Sequence, residues 1–557
     1  MTTTASVRPL IVLLFYVALT IALAYPVSVH PSTLVFVDNP DTHLYLWTLA
    51  WDTHAFTSRL DKFFDANIYY PFANTLAYSE NLIGAAFFAA PVIWLTGNVV
   101  LAMNVVSLAS CVLCGFGAYL LARRVRLSHL GAVLAGVVFL AAPPRFFRIG
   151  QLHLTTVHWV PFALAFYHAY LDGGRKRDLR LAVLFFTLQV LTSGHGAVFL
   201  LVSMLALTVY RVACGERIAF VHRLRELGVT GVLLLAPIAF VLAPYRAAQN
   251  EMGLKRSLEN WLPTPASYLA TPSHLHQYLR GLITGTNFND AANAWLFPGV
   301  LTIVLAAIAL VPLRRSLDPA LPLRARLRHN AVLFYALLVV VSLVLFLPPP
   351  VGVWPYVYWL PGFNFIRVPS RFMILAMLAL GVLAGAGFDR LSGRVGAIAR
   401  GAAFAVVCAV LIAEYASMPL GSVPYAITIP AIDRWLDTVP KSFAIAEVPE
   451  PNRRDNGAYE RHQTTSMLHA MAHWQKTIHG YSGIRPPLHE RLYLEMTQFP
   501  DEVSVASLRN LGVTFVVVHT EMYPAGEWPK VEAKLANFPG LRLEHVEGEG
   551  RVYTILR

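Results

Sequence analysis

Long apolar runs separated by short basic loops set the pattern of this chain. "LIVLLFYVALTIALAYPVSVH" (10–30), "VVLAMNVVSLASCVLCGFGAYLLA" (99–122) and "NAVLFYALLVVVSLVLFLP" (330–348) come close to the ~20 residues that cross ~30 Å of hydrocarbon as a helix. Further runs predict spans over 128–143, 153–171, 179–194, 196–213, 227–243, 295–312, 370–388 and 397–415. The first run carries an "ALA" at 22–24 that imitates a cleavage site, but its apolar part is long and more spans follow, so it reads as a retained first helix.

The loops "ARRVRLSH" (122–129), "GGRKRDLR" (173–180), "GERIAFVHRLRE" (215–226), "LRRSLDPALPLRARLRH" (313–329) and "DRLSGRVGAIAR" (389–400) concentrate the arginines. Basic loops stay in the cytoplasm, so the runs between them pair into hairpins and the N-terminus is expected inside. An odd number of crossings must then lie between residues 30 and 122. The run 81–97 is short and interrupted by Pro91, which predicts a half-inserted helix there and about eleven crossings in all. Residues 30–81, 144–152, 244–294 and 349–369 and everything after about 416 are expected outside.

After residue 420 the pattern changes. "FAIAEVP" (443–449), "VTFVVVH" (513–519), "LRLEHVE" (541–547) and "RVYTILR" (551–557) read as strands, and 432–439, 502–512 and 530–538 as amphipathic helices. The predicted fold is an all-α polytopic membrane bundle over 1–418, carrying an extracytoplasmic loop 30–81 with interfacial helices, followed by a soluble extracytoplasmic α/β domain over 419–557.

Composition agrees: 56% of residues are hydrophobic and 14% charged, far from the soluble range. The net charge of +12 comes from topology-setting loops rather than one basic face, which argues against nucleic acid as a partner. Cys111, Cys114, Cys214 and Cys408 all fall in or at the end of apolar runs, so no disulfide framework is implied.

Candidate chemistry gathers in the loop 31–81, where Asp38, Asp41, Asp52, Asp61, Asp65 and Glu80 alternate with Tyr45, Trp47, Trp51, Tyr69, Tyr70 and Tyr78. If "THLYLWTLAWDTHAF" is helical, Leu44, Trp47 and Trp51 share one face, as in a helix lying at headgroup level. Asp41 then stands at or just before the N-terminus, where a carboxylate caps free N–H groups. The same carboxylate can serve as a general base on an acceptor brought to a lipid-borne substrate.

A first helix, an acidic motif "VDNPDTHLYLW" (37–47) opening an outward loop, a half-inserted segment, many spans and an outward soluble domain together resemble the GT-C superfamily of membrane glycosyltransferases. "FIRVPSRFMILAMLALGVLAGAG" (365–387) and the stretch 478–519 also resemble a group of bacterial membrane proteins placed with those enzymes. The resemblance implies a polyprenyl-phosphate-linked sugar as donor, an extracytoplasmic glycan, lipid or protein acceptor, transfer with inversion, and a bacterial inner-membrane location. By position it implies Asp41 as the base, with Asp38 second. Glu80 lies where some relatives carry a phosphate-contacting Lys, and Tyr78 stands beside it in the same substrate-binding stretch.

For the donor phosphate the outer regions offer Arg145 and Arg148 in "APPRFFRIGQLH", Arg246, Arg367 and Arg371, since a guanidinium binds phosphate oxygens in a fork. His153, His158 and His195 sit near outer span ends; His153 and His195 are carried as substrate-binding candidates and interhelical hydrogen bonding is the plain alternative. In the tail, His462, His469, His473 and His479 lie with Trp474 and Tyr481 over 460–483, expected as a polar surface facing the membrane or a glycan. The His469/His473 spacing suits a metal only if helical; no metal ligand is assigned and a divalent ion is left open. Competing functions are a transporter or flippase of lipid-linked glycans and a non-catalytic envelope assembly protein. The span interiors are almost free of charge, Glu414 near a helix end being the exception, which weighs against a translocation path.

Overall fold

The structure is a computed structural model describing all residues except 1–3, 217–219, 254–262, 277–294, 312–322, 361–362, 365, 456 and 557. Most of the outward stretch 244–294 and much of the basic loop 313–329 therefore lie outside the described residues. The chain divides into two compact units, one of Met1–Phe36, Asn104–Val241 and Lys255–Ser422, the other of Val37–Met103, Leu242–Leu254 and Val423–Arg557.

The first unit is a helical bundle. Its centre is the helix Met373–Ser392, buried along most of its length, which packs against His129–Ala141, Val300–Leu310 and Ala331–Phe346. The sequence "GVLAGAG" explains the fit. A Cβ on Gly385 would come within 2.2 Å of the Gly131 carbonyl oxygen, and one on Gly387 within 1.9 Å of that of Leu305. Small residues let backbones approach where apolar surface alone gives helices no reason to associate.

Five described helices are long and apolar enough to cross a membrane: Val99–Arg124, Gly194–Ala213, His222–Met252, Pro369–Ser392 and Ala397–Tyr415. Shorter apolar helices cover Pro9–Leu23, Ile83–Thr96, His129–Ala141, Val300–Leu310 and Ala331–Phe346. Exposed Val229, Val232, Leu233, Ile398, Val406 and Val410 show that the outer helices turn apolar surface away from the protein, as lipid contact demands. The chain is an integral, multi-pass membrane protein. Two boundaries differ from the sequence expectation. The run 153–171 is interrupted, with one turn at Leu152–Thr155 and the helix proper at Trp159–Gly173. The helix expected to stop near 243 runs on to Met252, placing Arg246 within it.

The second unit carries a five-stranded sheet: β1 (Ala444–Val448), β2 (Lys476–Thr477), β3 (Phe515–His519), β4 (Leu541–Glu547) and β5 (Gly550–Ile555), in the order β2-β1-β3-β5-β4. β1 runs parallel to β2 and β3, with Ile445 opposite Phe515, and β5 is antiparallel to β3 and β4. Both β1 and β3 are buried throughout, and both are apolar apart from Glu447 and His519, as strands covered on both faces are. The loop 37–81 belongs to this same unit. Its segment 67–70 lines the open edge of β2: Thr477 N donates to Asn67 O (2.8 Å), Tyr70 N to Thr477 O (2.9 Å) and Tyr69 N to His479 O (3.0 Å). An otherwise bare strand edge is thereby covered. Lys476 Nζ adds bonds to the carbonyls of Asp65 and Ala66 at 3.2 and 2.9 Å.

The helix Pro40–Ser58 forms as expected, but Leu44, Trp47 and Trp51 are buried with most of its residues. It packs against Ile83–Thr96 and the helix Ala458–His469, and Trp51 and His54 meet Trp474, the latter stacked at 4.3 Å. Protein, not headgroups, receives its aromatic face. The helix Ile83–Thr96 has 14 residues, about 21 Å at 1.5 Å per residue, too short to cross unaided, and it leaves Phe87, Trp94 and Leu95 exposed.

Candidate functional site

Asn39, Pro40 and Asp41 begin the Pro40–Ser58 helix, and the local sequence assigns each a task. Asn39, in extended conformation, accepts the Thr42 N–H at 2.9 Å and is the N-cap. Pro40 occupies the first helical position, where a missing N–H costs nothing. The cap anticipated for Asp41 is thus taken by Asn39, and the half-buried Asp41 carboxylate in the first turn is left for other use. Its Oδ1 accepts the Tyr481 hydroxyl at 2.9 Å. Burial, then Asp41 itself, pushes that phenol far above its ordinary pKa, so it stays a donor.

Asp38 is held differently. Arg461 Nη1 lies 3.1 Å from each of its oxygens, and His43 Nε2 lies 2.9 Å from Oδ1. An ionised carboxylate only accepts, so Nε2 donates to Asp38, while Nδ1 lies 2.9 Å from the Thr464 hydroxyl, which also reaches the Arg461 carbonyl at 3.0 Å. Burial lowers the His43 pKa, against the pull of Asp38, which favours the neutral ring. Among the described residues, Asp38 is engaged on both oxygens and Asp41 on one.

The other loop candidates are apart from this pair. Tyr78 ends a short 3-10 turn, is buried, and has no hydrogen-bond partner for its hydroxyl among the described residues. Glu80 is half-buried next to Ser79 and Asn81, both of which bond Tyr245, at 2.6 and 3.3 Å. Asp52 lies fully buried in mid-helix with neither oxygen bonded among the described residues, and desolvation raises its pKa strongly.

In the helical unit, Arg145 and Arg148 are each 1% exposed. Arg145 donates to the carbonyls of Leu140 (2.8 Å) and Thr155 (3.4 Å), and Arg148 Nε to Pro144 O (3.1 Å). Both arginines close off chain turns around the interrupted helix. His153, His195 and Arg371 are brought together: the two rings lie 5.0 Å apart, and Arg371 Nη1 is 2.9 Å from His195 Nε2. Arg367 is exposed one turn earlier in the chain. His158 bonds Ser110 Oγ at 2.9 Å, an interhelical bond. Glu414 is no lone charge. It accepts from the N–H groups of Val300 and Leu301, the start of the Val300–Leu310 helix, and meets His276 at 3.0 Å.

The tail histidines face inward rather than outward. His462, His473 and His479 are buried, and the helix Ala458–His469 ends before His473, which removes the helical His469/His473 pair. Glu450, His462 and His479 do bring one ligand atom each within 4.8 Å of one another. The His479 Nε2, however, accepts the Glu447 N–H at 2.8 Å, which leaves its proton on Nδ1, the nitrogen 3.4 Å from Glu450. The trio then offers two lone-pair ligands, short of the three or four a zinc-type site uses, and no metal is assigned to it. Burial pushes Glu450 up to about 8 and His462 down to about 4. Beside them Glu447 and His519 pair at 2.8 Å, which holds the carboxyl well below and the imidazole above their ordinary values in spite of burial.

Sequence reasoning missed Tyr481 and Arg461 as partners of the loop acids. The former was visible only as one aromatic residue in a polar stretch, and 440 positions separate it from Asp41.

No family model matches the chain, and no curated protein matches it. Among solved structures it is similar to the oligosaccharyltransferase of Archaeoglobus fulgidus in the apo form, with 13% identity and a TM-score of 0.49 over 92% of this chain and 70% of that one. It is also similar to ArnT from Cupriavidus metallidurans bound to undecaprenyl phosphate, with 13% identity and a TM-score of 0.46 over 100% of this chain and 98% of that one.

Proposed function

We propose that this membrane protein is a GT-C-type glycosyltransferase that moves a sugar from a polyprenyl-phosphate donor to a glycan, lipid or protein acceptor outside the cytoplasm. The observation that carries the reading is the state of Asp41: a carboxylate in a helix's first turn, relieved of capping by Asn39 and, among the described residues, bonded through one oxygen. Its second oxygen takes the proton of the acceptor nucleophile. The acceptor attacks the anomeric carbon, the bond from that carbon to the phosphate oxygen breaks, and polyprenyl phosphate leaves with its electron pair, inverting the centre. Asp38, fixed by Arg461 and His43, organises the motif rather than accepting the proton.

For the phosphate, chemistry favours Arg367 and Arg371 with His195 and His153. The bonds of Arg145 and Arg148 to main-chain carbonyls suit a structural role better. The unit carrying Asp41 is assigned to the extracytoplasmic side and the N-terminus to the cytoplasm on the loop-charge rule. Against the transporter alternative stands Glu414, whose carboxylate closes a helix N-terminus and so has no need of a translocation path to explain it.

The test is transfer of label from a panel of tritiated undecaprenyl-phosphate hexoses and pentoses in native membranes. Asp41→Asn is expected to lower transfer by about 10² to 10⁴, the range of a general base, with the protein still in the membrane. Undiminished transfer by Asp41→Asn, Asp38→Asn and the double variant removes the enzyme reading as placed on these two acids.

A further inference from the structure

We infer that Tyr481 is a positioning residue for Asp41: the tail delivers its hydroxyl to Oδ1 on a locked strand and so leaves Oδ2 as the oxygen free for the acceptor's proton. The inference rests on the assignment of Asp41 as base.

The locking is visible residue by residue. Just upstream of Tyr481, Thr477 and His479 are held by the backbone of Asn67, Tyr69 and Tyr70. Gly480 N donates to Gln463 Oε1 at 3.1 Å, and Tyr481 N faces Met467 Sδ at 3.2 Å, both on the helix Ala458–His469. Gly480 passes so close to Tyr69 that an added Cβ would lie 2.7 Å from the ring carbons. Only glycine lets the strand run there. One further bond, Ser482 Oγ to Tyr69 Oη at 3.4 Å, ties the residue after Tyr481 to the same ring.

A phenol bonded to a carboxylate fixes the rotation of the carboxyl group, so the second oxygen points one way. The groups facing this bond are Arg485 and Glu460, which pair with each other at 3.1 Å and act on the Tyr481 phenol in opposite directions.

The experiment compares Tyr481→Phe, Gly480→Ala and Asp41→Asn with the parent, full-length protein in membranes. The first readout needs no substrate: carbodiimide and glycine ethyl ester labelling of carboxyl groups at one fixed pH, quantified by mass spectrometry. In Tyr481→Phe, where Oδ1 loses its partner, the labelling rate at residue 41 is expected to rise about fivefold, the equivalent of one net hydrogen bond, while the fully buried Asp52 stays unlabelled, which certifies the fold. Gly480→Ala, which displaces the segment without removing the phenol, is expected to raise it by less. The second readout is transfer from the tritiated donors: Tyr481→Phe lowers kcat about tenfold and leaves the donor KM unchanged. A labelling rate at residue 41 that does not change in folded Tyr481→Phe overturns the inference. If that rate changes but Asp41→Asn transfers undiminished, the base assignment fails and the hydrogen bond alone stands.

Discussion

In the helical unit, Arg145 and Arg148 are as buried as any leucine; they donate to the carbonyls of Leu140, Thr155 and Pro144 and also reach Cys111 Sγ and Gln151 Oε1. In the loop-and-tail unit, Arg461, Arg453 and Arg485 end on carboxylates, those of Asp38, Glu490 and Glu460. The difference follows from what each region must satisfy. A bundle of spans with an interrupted helix has orphan carbonyls and few acids, and a guanidinium with five donors closes several at once. A small sheet domain joined to an acid-rich loop has carboxylates to orient. Arg145 and Arg148 thus serve mainly the chain turns of the bundle, whereas its Arg211, equally buried, ends on Asp172 and Glu216 as the arginines of the second unit end on their acids.

The comparison breaks most visibly at Arg145. Arg145→Met retains bulk but strips the donor from the Leu140 carbonyl, a buried acceptor costing roughly 1–3 kcal/mol when orphaned, while the Thr155 carbonyl keeps Ser110 Oγ and the Val157 N–H. A loss of about 2 kcal/mol is expected, read as a lower thermal midpoint in detergent, with transfer per folded molecule unchanged. Reduced donor affinity at unchanged stability would instead make Arg145 a phosphate ligand and erase the contrast between the two regions.

Acidification tests the other side. Burial lowers His462 to about 4, His489 to about 4 and His479 to about 3, so the folded unit keeps these rings neutral where the unfolded chain protonates them below about 6.5. Between those limits the unfolded state binds more protons, stability rises with pH, and the contribution is complete above about 6.5 and lost as pH falls toward 4. His519, raised by Glu447, runs the other way and loses its contribution as pH climbs through its folded value. For His462 the loss between pH 7 and pH 5 is on the order of 2 kcal/mol. A His462→Phe variant is expected to flatten the stability–pH curve over that interval; an unchanged slope refutes the assignment.

Much of the tail was legible because its pattern was decisive. The β-branched runs "VTFVVVH" and "FAIAEVP" became β3 and β1 within a residue or two. Helix Ala458–His469 escaped notice because "AYERHQTTSMLH" has no apolar stripe: it buries His462, Gln463, Thr464 and Ser466 as well as Met467. A helix that buries polar groups is satisfied by partners, and partners are long-range. The same holds for the candidate site. The acids of "VDNPDTHLYLW" were readable from position, whereas the division of labour between them depends on Arg461, on the helix Ala458–His469, and on Tyr481, just past a two-residue strand whose edge the loop itself covers. No local periodicity encodes that pairing.

Asp38→Asn comes next in size. The carboxylate is about a quarter exposed and Arg461 half exposed, so solvent screens the ion pair and the cost falls to about 1.5 kcal/mol, mostly from the His43 bond. Transfer should fall by less than in Asp41→Asn, because an organising acid is replaced by an amide that still occupies its place. Equal losses in the two variants would show the acids acting as one unit and would end the distinction drawn from their partners.

The smallest effect is also the sharpest discriminator. Asn39→Ala removes the side chain that accepts the Thr42 N–H, and loss of an N-cap costs about 1 kcal/mol. With Asn39 as the cap, that cost appears in a chemical-denaturation midpoint while the fixed-pH labelling rate of Asp41 stays the same, since Tyr481 still holds Oδ1. If Asn39→Ala is instead silent for stability and the labelling rate of Asp41 changes, Asp41 is capping the helix. A carboxylate occupied by two backbone donors is a poor base, and catalysis would have to be sought at another acid of the loop.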